Sequence, residues 1–99
     1  MAVTITVAPR VQTAAKKLPV AESRILGEFM RLVLVNGVNP NSAASTAHAH
    51  IKPLDPKDKT VAFGGTYELV ISTHNRVFYR FTGAVITLTN LAPVAPPTS

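Results

Sequence analysis

The sequence predicts a mainly β domain, a small antiparallel sandwich or barrel-like sheet, with extended N- and C-terminal arms. Residues 66–91 contain three runs in which apolar and polar residues alternate between turn residues, which is typical of an antiparallel meander. Hydrophobic residues make up 46% of the 99-residue chain and charged residues 15%, a balance that indicates a folded domain. A short helix near residues 21–30 makes an α+β fold the alternative.

The N-terminal residues 2–8 predict a strand. Val3, Ile5 and Val7 alternate with threonines, and β-branched residues suit a half-buried pleated surface. The strand is expected to end at Pro9. Residues 10–19 are basic and alanine-rich, so they predict a short helix or an extended, arm-like segment.

Residues 20–35 carry two competing patterns. Five apolar residues follow helical spacing, namely Ile25, Leu26, Phe29, Met30 and Val33. Gly27 weakens a helix by about 1 kcal/mol relative to alanine, and the run 31–35 also suits a buried strand. We therefore predict a helix over 21–30 followed by a strand over 30–36. A continuous strand over 25–35 is the main alternative.

Residues 36–58 are predicted to form a long connection. Asparagine, glycine, proline and serine recur along it, and these residues favour turns. Loops of this length are uncommon in compact domains and are usually functional. We expect this one to cross a neighbouring chain or a sheet edge, with a short strand near 47–51.

The C-terminal half predicts a hairpin and a third strand. Strands over 66–73 and 76–82 are expected to turn at His74–Asn75, and a strand over 84–91 follows Gly83. One face of the hairpin should carry Tyr67, Leu69 and Ile71 opposite Val77, Tyr79 and Phe81. Phe63–Gly65 is interpreted as a strand junction. The predicted organisation is one domain over residues 1–91 and a proline-rich arm over 92–99.

The chemistry of the side chains favours no catalytic or metal site. The chain has no cysteine, which excludes disulfides and thiolate ligands. His48 and His50 could offer two metal ligands, but a catalytic zinc needs three and no spacing supplies His74 or Asp55 as the third. Ordinary loop histidines are the better interpretation, so we predict no metal, no cofactor and no catalytic residue. Among the five carboxylates, Glu68 is expected to pair with Arg76 or Arg80.

The charge of the chain favours an acidic partner. The formal net charge is +5, and the ten basic residues are spread along the sequence without forming one dense stripe. The predicted partner-binding residues are Arg10, Lys16, Lys17, Arg76, Phe78, Arg80, Pro93, Pro96 and Pro97.

These features together predict a non-enzymatic assembly protein. A surface poor in charge, arm-like ends and a long central loop favour a homo-oligomeric bacteriophage virion component, such as a capsid decoration, cement or tail protein. It would dock on capsid or tail neighbours by its sheet and insert its arms into them. It would be made in the host cytoplasm, without a signal peptide or a membrane span. The alternative is a nucleic-acid-binding module that uses Arg76, Phe78 and Arg80 for stacking and phosphate contacts.

Overall fold

The computed structural model describes residues 4–47 and 49–93. Over these residues the chain forms a five-stranded mixed sheet and four α-helices, so the α+β alternative is confirmed and the mainly β sandwich or barrel is not. In chain order the elements are β1 (Thr4–Val7), α1 (Pro9–Ala15), α2 (Val20–Leu34), α3 (Pro40–Thr46), β2 (His50–Pro53), a 3₁₀ turn (Pro56–Asp58), α4 (Lys59–Ala62), β3 (Tyr67–Val70), β4 (Asn75–Thr82) and β5 (Val85–Pro93).

The sheet has the strand order β1-β5-β4-β3-β2. Strands β2 to β5 form an antiparallel meander, which confirms the predicted hairpin, and Leu69 lies opposite Val77 as expected. Strand β1 pairs with β5 in parallel, from Thr4 opposite Val85 to Val7 opposite Leu88. The first and last strands of the described chain are therefore neighbours.

The main core lies between one face of the sheet and helices α1 to α3. The sheet contributes side chains that are at most 2% exposed, namely Leu69, Ile71, Val77, Tyr79, Ile86 and Leu88. The ring centroids of Phe29 on α2 and Tyr79 on β4 are 6.5 Å apart, which is within the range of favourable aromatic pairs. Burial of these apolar side chains is the main stabilising contribution to the fold.

Helix α2 extends through Leu34, so both the predicted strand over 30–36 and its rival over 25–35 are wrong. Leu26, Phe29 and Val33 are buried on one side of α2, and Leu32 joins them at 7% exposure. An extended chain would send alternate members of this set to opposite faces, whereas helical spacing buries all of them together. Packing on the sheet therefore outweighs the β-branched character of the 32–35 run.

The predicted long connection over 36–58 is also wrong in large part. It contains α3, strand β2 and the 3₁₀ turn. Ala43, Ala44 and Ala47 are buried in the core, and small side chains of this kind allow α3 to approach α2 closely. The short strand expected near 47–51 occurs at His50–Pro53. Residues 59–62 form α4, where a junction between strands was expected nearby.

The two predicted arms have different outcomes. Of the two possibilities for residues 10–19, the structure shows the helix, as α1 packs on β5 through the fully buried Val11. Pro93 still pairs with Asn75 as the last residue of β5, so the expected departure from the sheet at residue 92 is wrong. Residues 94–99, which hold the remaining predicted arm, lie outside the described residues. Within the described ranges, no helix combines the length and apolarity needed to cross a bilayer.

Candidate functional site

Two concave regions flank the sheet. The first, here called the β2 cleft, has a volume of about 860 Å³ and lies among β2, the 3₁₀ turn, β3 and β4. The second, here called the β5 groove, has a volume of about 540 Å³ and lies between α1 and β5. The β2 cleft is lined by His50, Lys52, Pro53, Asp55, Lys57, Asp58, Glu68, Val70, Ile71, Ser72, Thr73 and Arg76. The β5 groove is lined by Arg10, Thr13, Ala14, Lys17, Leu18, Asn75, Leu91 and Pro93.

An ion-paired arginine lies in the wall of the β2 cleft. Arg76 Nη1 is 2.7 Å from Glu68 Oε1 and 3.0 Å from Asp58 Oδ2, and the three side chains are only 12–16% exposed. Burial alone would lower the pKa of Arg76, but the hydrogen bonds to Glu68 and Asp58 raise that pKa above its usual value. The predicted Glu68–Arg76 pair is confirmed. Because two carboxylates neutralise this guanidinium, it is not free to bind a phosphate.

Taken as a whole, the lining of the β2 cleft is balanced in formal charge. It contains equal numbers of Lys/Arg and Asp/Glu side chains, and Lys57 Nζ lies 4.0 Å from Asp55 Oδ2 at the exposed rim. Among the described residues, no three His, Asp or Glu side chains come together as metal ligands. His48 lies outside those residues, so the interpretation of His48 and His50 as ordinary histidines that hold no metal stays a prediction.

A buried carboxylate on α2 hydrogen-bonds to one residue from the lining of each concave region. Glu22, 5% exposed, accepts hydrogen bonds from Ser72 Oγ and, at 2.9 Å, from Asn75 Nδ2. Ser72 Oγ in turn accepts from the backbone N–H groups of His74 and Asn75. The hydrogen bond from Ser72 lowers the pKa of Glu22 in spite of its burial. Glu22 thus fixes the β3–β4 turn, whose Ser72 lines the β2 cleft and whose Asn75 lines the β5 groove.

The β5 groove follows a part of β5 that has no neighbouring strand on its outer side. Pairing with β1 stops at Leu88, and α1 lies along the remainder of β5 in the described part of the chain. Arg10 Nη1 on α1 donates to the Thr89 carbonyl at 3.1 Å. Leu18 and Leu91 give the groove a half-buried apolar floor, and Lys17 is exposed beside it.

A β-bulge and a glycine position the loop that follows α4. The register of β4 and β5 shifts between Phe78 and Tyr79, and Thr89 Oγ1 donates to the carbonyls of Ala62 and Phe78. A Cβ on Gly65 would lie 2.7 Å from Thr89 Oγ1, so only glycine allows this approach.

An exposed aromatic ring adjoins the groove at this loop. The guanidinium of Arg10 lies 4.1 Å from the centroid of the Phe63 ring, a favourable cation–π geometry. Phe63 is 53% exposed and has a φ of 50°, a left-handed conformation that is unusual for a bulky residue. Helix α1, the loop and the β5 bulge therefore form one connected surface.

The positive charge of the chain is uncompensated on this side of the molecule. All five carboxylates are engaged elsewhere: Glu22 with Ser72 and Asn75, Glu28 with Arg31, Asp55 with Lys57, and Asp58 and Glu68 with Arg76. Within the described residues, the ion pairs include none of the cations Arg10, Lys16, Lys17 and Arg80, which we call the basic surface. The ion pairs also leave out Arg24, Lys52 and Lys59, so the basic surface holds four of the seven cations that are outside these pairs. A surface of this kind attracts acidic partners.

The structure separates the residues that the sequence grouped as partner-binding. Arg10, Lys17 and Pro93 meet at the β5 groove, and Lys16 is exposed beside them. Arg76 lies in the β2 cleft, Arg80 is exposed on β4, and Pro96 and Pro97 lie outside the described residues. The role of these residues in partner binding stays a prediction. Sequence reasoning missed Leu18, Phe63 and Leu91, and only the Gly64–Gly65 pair that follows Phe63 marked that loop as special.

The Arg/aromatic face predicted for nucleic-acid binding does not form. Phe78 is fully buried in a second cluster with Ala62 and Ala92, where α4 packs on the sheet. The neighbouring guanidinium of Arg76 is 4.9 Å from the Phe78 ring centroid and is already ion-paired. Because the ring cannot stack on a base, the nucleic-acid alternative built on this face is wrong.

No protein-family model matches this sequence, and no curated protein matches it. A chain from the crystal structure of the archaeal RelE-RelB complex from Pyrococcus horikoshii OT3 is similar in structure, with a TM-score of 0.60 and 21% sequence identity. The similarity covers 94% of this chain and 96% of that chain. At this level of identity the match establishes a shared fold.

This match corrects the functional prediction. The virion component of a bacteriophage, with its capsid, cement or tail role, its capsid or tail partners and its virion location, is contradicted by the similarity to the RelE-RelB complex. The physical basis of that prediction also fails, because residues 9–15 are a packed helix and residues 36–58 are mostly regular elements. The similar chain belongs to a complex with a partner protein, which agrees with protein partners in general.

Proposed function

We propose that this chain is one component of a toxin–antitoxin pair and that it acts by binding an acidic partner protein in the cytoplasm. The observation that carries the proposal is the similarity to a chain of the RelE-RelB complex over nearly the full length of both chains. Because the match extends over nearly all of both chains, it concerns the fold as a whole and not one local motif.

The charge distribution supports an acidic partner. The carboxylates of the chain are engaged in internal contacts, whereas the basic surface has none beside it. Positive surfaces of this kind raise the association rate with acidic proteins and make that rate depend on salt. Exposed Phe63 next to Arg10 adds an aromatic and an arginine, the residue types that most often dominate interface energies.

The partner should be found by expressing the chain with the reading frames that flank its gene. One tag on the chain and another on the candidate partner allow two successive purifications, and we expect a complex that dissociates as salt is raised. Growth of cells expressing either component alone should differ from growth of cells expressing both. If neither flanking product forms a complex and no combination changes growth, the proposal is wrong.

We further propose that the function is binding and not catalysis. The guanidinium in the β2 cleft is neutralised by Glu68 and Asp58, and the lining of the cleft as a whole contains equal numbers of Lys/Arg and Asp/Glu side chains. We therefore expect the purified chain to leave RNA intact, as measured by gel electrophoresis of a labelled transcript over time. Cleavage that disappears when His50 is replaced by alanine would contradict this part of the proposal.

A further inference from the structure

We propose that the β5 groove binds an extended, acidic segment of the partner protein, which lies beside the unpaired part of β5. This inference rests on the proposed function, because it assigns the place where the partner binds.

Beyond the bulge, no strand of the described residues pairs with the outer edge of β5, which faces α1 across the β5 groove. Strand β1 covers β5 only as far as Leu88, whereas β5 continues to Pro93. A strand edge without a neighbour presents backbone N–H and C=O groups that an extended segment can pair with. The carbonyl of Thr89 already accepts a hydrogen bond from Arg10, so the accessible stretch begins after Thr89. Such a short stretch suits a segment of a few residues.

The composition of the groove suits alternating side chains. Leu18 and Leu91 form an apolar floor, while Arg10 and Lys17 supply cations at its side. In an extended segment, successive side chains point in opposite directions. One set would bury apolar groups on the floor, and the other would carry carboxylates toward the cations. A segment that alternates acidic and apolar residues therefore fits both features.

The charges of the chain make a second copy a poorer occupant of the β5 groove than an acidic partner. Each chain carries a net charge of +5, and the side-chain carboxylates of the described residues are all engaged in other contacts within the chain. Two copies meeting at this groove would bring like charges together, which is unfavourable. The partner must supply the negative charge.

The test uses the full chain and two fluorescent synthetic peptides, one alternating glutamate with valine and its twin alternating lysine with valine. Fluorescence anisotropy measures the dissociation constant of each. We expect the glutamate peptide to bind and the lysine peptide not to bind. The variant Lys17→Glu should weaken binding roughly tenfold, because an attraction becomes a repulsion. The matched control Lys57→Glu, an exposed lysine at the β2 cleft, should leave the dissociation constant within about twofold.

Several outcomes would overturn the groove assignment. These are equal binding of the two peptides, equal effects of Lys17→Glu and Lys57→Glu, or tighter peptide binding after deletion of residues 94–99, which would identify the chain's own terminus as occupant. Competition by a single-stranded oligonucleotide whose affinity falls in Lys17→Glu would also overturn the groove assignment. A dimer that is seen by sedimentation and dissociates in Lys17→Glu would overturn it as well.

The groove assignment and the proposed function can fail separately. If a flanking product forms a complex that Lys17→Glu leaves unchanged, the toxin–antitoxin proposal stands and the groove assignment is wrong. If the glutamate peptide binds as expected but no flanking product forms a complex or changes growth, the groove assignment stands without its assigned partner class.

Discussion

The β2 cleft and the β5 groove differ in how their charges are held. In the β2 cleft, Arg76 is enclosed between Asp58 and Glu68, and its charge serves the fold. In the β5 groove, Lys17 is exposed and Arg10 uses one N–H on a backbone carbonyl, and neither forms an ion pair with a carboxylate of residues 4–47 or 49–93. The β2 cleft, the larger of the two regions, is therefore less suited to an anionic ligand. Whether the charges that line a concave region are already paired is a better guide to ligand binding than the volume of that region.

The largest expected change in the free energy of unfolding comes from removing the cation of the β2 cleft. Arg76→Met leaves Asp58 and Glu68 beside each other without a cation, and we expect it to lower the free energy of unfolding by about 3 kcal/mol. The control is Arg80→Met, an exposed arginine on the same strand, which should change it by less than about 0.5 kcal/mol. Urea denaturation measures both. Equal losses would mean that the Arg76 ion pairs do not stabilise the fold.

The next effect concerns the packing that supports the groove. In Gly65→Ala the new Cβ would lie 2.7 Å from Thr89 Oγ1 and 3.0 Å from Phe78 Cβ. Relieving this contact should lower the free energy of unfolding by about 2 kcal/mol. Gly27→Ala on helix α2 meets nothing within 4 Å and should stabilise by up to about 1 kcal/mol. Thermal denaturation of the two variants should thus give shifts of opposite sign; a stabilised Gly65→Ala would show that the loop is not held against the bulge.

The smallest effect concerns Glu22, which connects the two regions. Its pKa is lower in the folded chain than the ordinary value of 4.5, so its ionised form stabilises the fold above that pH. This contribution is lost as the pH falls through the folded pKa. Glu22→Gln should therefore reduce the free energy of unfolding by about 1 kcal/mol near neutral pH, and the difference should disappear in acid.

Urea denaturation over a series of pH values measures this difference. Glu28→Gln is the control, because the pKa of Glu28 is also lowered, by hydrogen bonds from Arg31 on the surface of α2. Its loss should be smaller than that of Glu22→Gln because the pair is exposed. A pH-independent difference for Glu22→Gln would show that Glu22 acts through packing and not through its charge.

The sequence predicted the meander because its signals are local. Alternation over residues 66–91 and the turn residues between the runs determine which side chains share a face, and the observed register of Leu69 with Val77 agrees. The Glu68–Arg76 pair followed from the same cross-strand geometry. Helix α2 was predicted only to residue 30, because the apolar run 31–35 also suits a buried strand, and the burial of Leu32 and Val33 depends on a sheet formed by other parts of the chain.

The features that define the candidate site depend on distant contacts. Nothing near residue 4 indicates a partner at residue 85, and only that parallel pairing shows that β5 extends beyond its neighbour. The enclosure of Phe78 depends on α4, a helix that the sequence did not predict; only Phe63–Gly65, which follows it, was interpreted as a strand junction. The low surface charge was interpreted as a sign of assembly into a particle, whereas the structure shows that three of the five carboxylates, Glu22, Asp58 and Glu68, are largely buried in contacts within the chain.

The pairing of the first strand with the last has a consequence for how the chain folds during its synthesis. β1 leaves the ribosome early, but its partner β5 is among the last elements to appear. Until then β1 has no place in the sheet and β4 lacks one of its neighbours. Contacts between such distant residues slow folding, because a long loop must close before they form. The β5 groove also comes into existence only with this last strand, so a nascent chain can offer its proposed binding site only when translation of the domain is nearly finished.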